Sequence, residues 1–473
     1  MRAASRGRRV SGALRTIVAT GLVVALGCAP AADEALVIAG LAVVDVETGK
    51  TARGLTVRIE GDRIVALGPD GEVDRRRARP VDGSGLWAIP GLWDMHFHSY
   101  GERGLLELAV AGGVTTVRDM GSVLESTLAL RDGIEAGSLI GPTVLVGGPM
   151  LESSEAMASA RQRAGDVPAW IEDLESKHLP VDGPEAAKEI VAELAARGVD
   201  HVKVRSVADE ATLRALGDAA RRHGLPLVGH PPWSLDPLVP AGAGQRTIEH
   251  AFYPYPLADL DAAKREAVFA AYRRHRVALV PTLIAWESRA TPIDRLAAVV
   301  ADRTGDVDER RTFLPESLIE HWRQDLAERG DGKTGGWAEA LEVVARDVGE
   351  FHRAGVRVLA GTDAASFMVF PGFSLHDELA LLVERAGLAP HEALAAASLR
   401  AAEVTGRARE VGALRAGAIA DLVLLSADPT QNIRNTRSIE AVILRGRYLG
   451  RSDLDALLER SRRAAKGEAP ISG

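Results

Sequence analysis

The stretch AIPGLWDMHFHSY, from Ala88 to Tyr100, sets His96 and His98 one residue apart in a chain with 12 histidines. On a strand, alternate side chains share a face, so both imidazoles would point the same way, close enough to grip one ion. Other ligand-type residues stand at the ends of apolar runs. HVKVRS holds Lys203, LPLVGH ends in His230, RTIEH in His250 and VLAGTD in Asp363. Each alone has an ordinary reading: a hydrogen-bonded core histidine for His230 or His250, a helix cap for Asp363, a surface lysine for Lys203. Six such residues at the ends of five strands together point to a metal site.

The elements that must position them alternate. Apolar strand candidates are WAIPGLWDMHFH, GVTTVRDM, PTVLVGG, VDHVKVRS, LPLVGH, RTIEHAF, VALVPTLIAW and VRVLAGTDA. Helical stretches such as GPEAAKEIVAELAARG and AEALEVVARDVGEFHRAG lie between most of them, several stopped by Gly. Eight strand–helix units predict an α/β fold with a closed (β/α)8 barrel over 88–407, whose catalytic groups sit at the C-terminal strand ends. Residues 287–337 form a longer, more charged connection and predict a helical insertion after the seventh strand. Short β segments occur at both ends of the chain, with a hairpin signal at Gly61–Asp62. They predict a composite β-sandwich domain from 36–87 plus 408–451.

The chain has 473 residues, 46% hydrophobic and 26% charged, ordinary proportions for a globular protein. A net charge of −8 with no basic stripe beyond the N-terminus argues against a nucleic-acid partner. The single cysteine, Cys28, excludes an intrachain disulfide framework. It follows the basic MRAASRGRRVSGALR and the uncharged TIVATGLVVALG, the layout of a secretory signal. ALGC resembles a bacterial lipoprotein signal, so 1–28 predicts a signal peptide with a lipobox. The expected location is outside a bacterial membrane, periplasmic or at the cell surface, held by a lipid anchor only. A homo-oligomer is left open.

The motifs PGLWDMHFH, GVTTVRDMG, IEHA, GTDA and LRAGAIADLVLLSADP resemble those of the amidohydrolase superfamily over about Leu36 to Leu449. The chain is most similar to the imidazolonepropionase-related and Xaa-Pro or Xaa-Arg dipeptidase-like branch with two metals and a carboxylated lysine. The resemblance implies that His96, His98 and Asp363 hold one divalent ion and His230 and His250 a second, with zinc suited to these donors. It implies that carbon dioxide converts Lys203 to a carbamate bridging both. Two metals about 3.5–4 Å apart share a hydroxide, and Asp363 is the catalytic proton shuttle.

His201 and Lys203 share parity on their strand; the D-x-x-K spacing of DHVK favours Lys203. Zinc deaminases of the superfamily carry a Glu three residues after the strand-five histidine, where this chain has Trp233. That argues against deamination. The expected activity is hydrolysis of an amide C–N bond in a small-molecule substrate, a dipeptide or N-acyl amino acid. Cyclic-amide hydrolysis, lactone or ester hydrolysis and a non-catalytic surface binding role are the alternatives. Arg118, Arg205 and Tyr253 are candidate substrate contacts, the arginines by bidentate binding of a carboxylate. His376 is expected to cap or orient the last helical region.

Overall fold

The computed structural model describes residues 35–164, 168–233, 235–251, 256–329 and 336–468. The expected signal and lipobox at 1–28 lie outside the described residues, as does Tyr253. No helix among the described residues is long and apolar enough to cross a membrane.

Both ends of the chain share one eight-stranded sheet. The N-terminal part supplies β1 (Ala35–Val44), β2 (Thr51–Glu60), β3 (Arg63–Pro69), β4 (Ala78–Asp82) and β5 (Trp87–Pro90). After the parallel-strand region described next, β16 (Leu422–Leu425), β17 (Ile439–Leu444) and β18 (Arg447–Gly450) complete it in the order β18-β17-β16-β5-β1-β2-β3, with β4 beside β1. The seam is β5 against β16, antiparallel, with Val423 opposite Ile89 and Leu424 opposite Ala88. Alternation divides the faces. Leu422, Leu424 and Ile443 join Ile38, Leu41, Val57 and Ile64 in one small core, while Val423, Leu425, Val442 and Ile89 pack into the large one. The sheet is thereby fastened to the rest of the molecule.

The middle of the chain supplies ten strands, parallel wherever they pair. β6 (Leu92–Phe97), β7 (Val114–Asp119) and β8 (Thr143–Val146) form one sheet. β9 (Met150–Glu152), β10 (His178–Pro180), β11 (Val202–Val204), β12 (Leu227–Gly229), β13 (Gln245–Glu249), β14 (Ala278–Val280) and β15 (Arg357–Val358) form another, ordered β10-β9-β11-β12-β13-β14-β15. The strand–helix repeat is TIM-barrel-like. Backbone bonds run between the sheets on both sides: Asp200 N donates to Val146 O at 2.7 Å, and Met95 N to Ala360 O at 3.0 Å. The helices Glu210–Arg222 and Ala262–His275 start where Asp209 and Asp261 accept backbone N–H groups at 2.8 Å.

Three expectations are corrected. VALVPTLIAW is a strand only to Val280; past Pro281, which cannot donate to a ladder, Leu283–Ala290 is a helix. The helical connection therefore begins at Leu283 rather than at 287, and continues through Ile293–Ala301 and Glu316–Arg329. A second helical excursion, Ser154–Ala164 and Pro168–Lys177, follows β9. SEAMASARQRA offers too few large apolar residues to show a stripe. A C-terminal helix, Arg451–Ala465, lies beyond the expected boundary; its Arg460 reaches the buried Glu107 at 2.9 Å.

His376 is structural. It is buried in the helix Ser374–Glu384, with Nε2 3.0 Å from Gly112 O and Nδ1 2.9 Å from Thr436 Oγ1. Burial pushes its imidazole down to about 4, against an ordinary 6.5. Between these values the unfolded chain binds more protons, so the contribution is whole above 6.5 and drains as pH falls toward 4. Urea midpoints should therefore fall further from about pH 7 to about pH 5 in wild type than in His376→Gln. Equal falls would place the proton uptake elsewhere.

Candidate metal centre

Four of the six candidate ligands are fixed by a backbone bond to a neighbouring strand or its end. His230 N donates to Val204 O at 3.0 Å, His250 N to Val280 O at 2.9 Å and Asp363 N to His96 O at 2.7 Å; His98 N donates to Ala364 O. Lys203 stands in β11 opposite Val228, and Val204 opposite Gly229, so these strands end level. Gly229 is required there: a Cβ would lie 1.8 Å from Val204 O, and φ is +139°. His250 and Asp363 adopt φ of +61° and +67°. Such left-handed residues cost on the order of 1–3 kcal/mol each and cluster at functional sites.

The result is one cavity of about 980 Å3 lined by His96, His98, Lys203, His230, His250 and Asp363. One donor atom from each of His96, His98 and Asp363 lies within 4.8 Å of the others. Asp363 Oδ1 is 3.2 Å from His98 Nε2 and 3.4 Å from His96 Nε2. Lys203 Nζ is 3.5 Å from His96 Nε2. The rings of His96 and His250 are 4.6 Å apart, and those of His250 and His230 4.8 Å.

Outer contacts tie down one nitrogen of each of three rings. His96 Nδ1 meets Glu249 Oε2 at 2.9 Å, His98 Nδ1 meets Gly121 O at 2.8 Å and His250 Nδ1 meets Thr282 Oγ1 at 2.8 Å. Each Nε2 is left for the cavity, the arrangement that orients metal-binding imidazoles. His230 Nδ1 is buried with no hydrogen-bond partner among the described residues. Burial holds His96, His230 and His250 well below the usual histidine range, as neutral rings. Burial opposes ionisation of Asp363, but the hydrogen bond from His98 and the electrostatic pull of His96, His250 and His98 together outweigh it and keep the carboxyl low. Burial also brings the Lys203 amine down to about 8. Neutral imidazoles beside a carboxylate fit divalent cations.

Two supporting residues, Glu249 and Asp94, escaped the sequence. Glu249 lies beneath His96 and is itself held by Arg118 Nη2 at 2.9 Å and by Thr247. Strand parity would put Glu249 and His250 on opposite faces; the left-handed turn at His250 breaks the alternation, so both serve one site. Asp94, in β6, accepts from Thr362 Oγ1 at 2.6 Å and Thr362 N at 2.9 Å, tying the His96 strand to the Asp363 loop. Glu249→Gln, which keeps the shape but not the charge, should weaken metal binding about 10–100-fold. Chelator competition measures this, and an unchanged affinity would make Glu249 mere packing.

Arg118 is not brought to the cavity. Its Nε donates to Met95 O at 2.8 Å and its Nη1 to Thr247 Oγ1 at 3.0 Å, so with Glu249 it is engaged below the centre rather than offered to substrate. Arg205 does line the cavity, its Nη1 2.7 Å from Glu152 Oε1. His201 is buried away from the centre against Gly147, leaving Lys203 as the strand's contribution there. Trp233 is 56% exposed at the cavity, its ring 6.0 Å from that of His230.

Parallel strands that deliver histidines, a lysine and an aspartate to one cavity at their C-terminal ends define an α/β enzyme with a metal-type centre. The family model described as the amidohydrolase family matches residues 87–449. The chain belongs to the amidohydrolase family, whose members hydrolyse carbon–nitrogen bonds and generally bind divalent metals. Among solved structures it is similar to a prolidase complexed with N-methylphosphonate-L-proline: 23% identity over 88% of this chain and 100% of that one, TM-score 0.69. It is also similar to a Xaa-Pro dipeptidase with bound methionine in the active site: 18% identity, 88% and 100% covered, TM-score 0.68. A third is bottromycin amidohydrolase: 24% identity, 91% and 90% covered, TM-score 0.68. At these identities the likeness speaks for the fold. A comparison with curated proteins finds no match.

Proposed function

We propose that this chain is a two-metal hydrolase that cleaves the amide bond of a dipeptide or N-acyl amino acid, on strands closed into one (β/α)8 barrel. The observation that carries the reading is the convergence of six donors on one cavity, with His96, His98 and Asp363 within 4.8 Å of one another. His96, His98 and Asp363 would hold one ion and His230 and His250 the other, with zinc the expected metal. When bound, two such ions acidify a shared water and polarise the scissile carbonyl.

The chain's own residues do the rest. The Lys203 amine, buried and brought down to about 8, attacks carbon dioxide; an N–C bond forms, a proton leaves, and the anionic carbamate replaces a cation beside His96. Asp363 takes a proton from the attacking water and returns it to the leaving nitrogen, as base and then acid. Arg205, which lines the cavity, would receive the substrate carboxylate. The dipeptide-type substrate is supported by the neighbours named for prolidase and Xaa-Pro dipeptidase. We further propose that the chain is exported and lipid-anchored through Cys28.

A panel of dipeptides and N-acyl amino acids, assayed for free amine, tests the substrate class. Metal-dependent amine release from members of the panel is expected. Turnover of lactones or esters alone, with no amide cleaved, would replace this reading.

A further inference from the structure

A second cavity, of about 630 Å3, opens near the N-terminal ends of the strands, away from the histidine cluster. Its lining includes Arg221, Arg246, Arg407 and His275, with the buried Arg118 and His201 on its inner wall. Asp200 is the single acidic residue among the described lining residues, and its carboxylate is committed to Val146 N at 2.8 Å and to Arg131 at 3.5 Å. Arg221 pairs with Asp218 and Arg407 with Glu410 at 3.8 Å, two carboxylates outside the lining. Arg246 forms no ion pair among the described residues; Nη1 donates to the His275 carbonyl at 3.1 Å. Burial, and then the like charges of Arg276 and Arg357, weaken its hold on its proton. His201 Nε2 is buried without a hydrogen-bond partner among the described residues.

Of the four guanidiniums in the lining, Arg118 is paired with Glu249, Arg221 with Asp218 and Arg407 with Glu410, which leaves Arg246 without an ion pair among the described residues, and the one lining carboxylate, Asp200, is already in use. An uncompensated cation between low-dielectric walls focuses its field on whatever enters. Guanidinium forks match the planar oxygens of carboxylates and phosphates. A volume of about 300–1,000 Å3 is that of small-molecule sites. We infer that this cavity is a binding site, separate from the metal centre, for a small organic anion bearing carboxylate or phosphate groups. It does not depend on the proposed substrate.

The test is titration calorimetry of the intact protein with inorganic phosphate and, separately, succinate. It is run on wild type, on wild type stripped of metal by a chelator, and on the Arg246→Gln/Arg407→Gln double variant. Saturable binding of at least one probe is expected, retained after metal removal and weakened about tenfold or more in the double variant. The better-bound probe tells phosphate from carboxylate. Should the double variant melt early, exposed Arg221→Gln, with its unfolding temperature checked, carries the same expectation. Binding of neither probe, binding lost with the metal, or equal binding in a folded variant would overturn the site.

Discussion

Asp363→Asn is expected to lower kcat about 10²–10⁴-fold while the protein stays folded and keeps most of its metal. The carboxylate sits at a left-handed residue whose backbone N–H is fixed by His96 O at 2.7 Å. The amide can take the same place, and asparagine tolerates that conformation. One oxygen remains as a ligand, so the ion stays. What is lost is the capacity to take and return a proton, worth about 3–5 kcal/mol of barrier. The loss should shrink for activated esters or anilides, whose leaving groups need little protonation. Metal content and kcat for both kinds of substrate decide the matter. An unchanged kcat with metal bound would reduce Asp363 to a ligand and send the proton elsewhere.

Lys203→Ala is expected to lose metal and activity together, with kcat/KM down by about 10⁴-fold or more, the scale of removing a member of a catalytic unit. Nζ lies 3.5 Å from His96 Nε2 in the interior. As an ammonium it would repel cations there. As a carbamate it would carry the charge of the opposite sign. Short carboxylic acids added to Lys203→Ala should restore part of the metal and part of the rate, because they supply the missing oxygens. Full activity in Lys203→Ala, or rescue by amines instead of acids, would remove the bridge from the mechanism.

The centre was legible because strand ends concentrate function. Apolar runs that stop at His96, His98, His230, His250 and Asp363 declare their strands and their direction at once. The residues that support them were not, and the reasons are local. Arg118 follows an apolar run in the same way, yet is drawn inward by Met95 O, Thr247 and Glu249. Glu249 sits on the wrong parity until the φ of +61° at His250 is known. Asp94 acts through Thr362, 268 residues away along the chain, a pairing that spacing cannot show. In the fold, a sheet shared by both ends of the chain was anticipated from like texture, but its seam strand β5, read as the start of the first barrel strand, was not. The helix Leu283–Ala290 was hidden because its first residues continue the apolar strand before it.

We propose that six residues at the ends of five strands hold two ions. Elemental analysis of the intact protein, purified without chelator and reloaded with zinc in bicarbonate buffer, measures this directly. Two divalent ions per chain are expected. Fewer than two per chain after reloading would contradict the proposal.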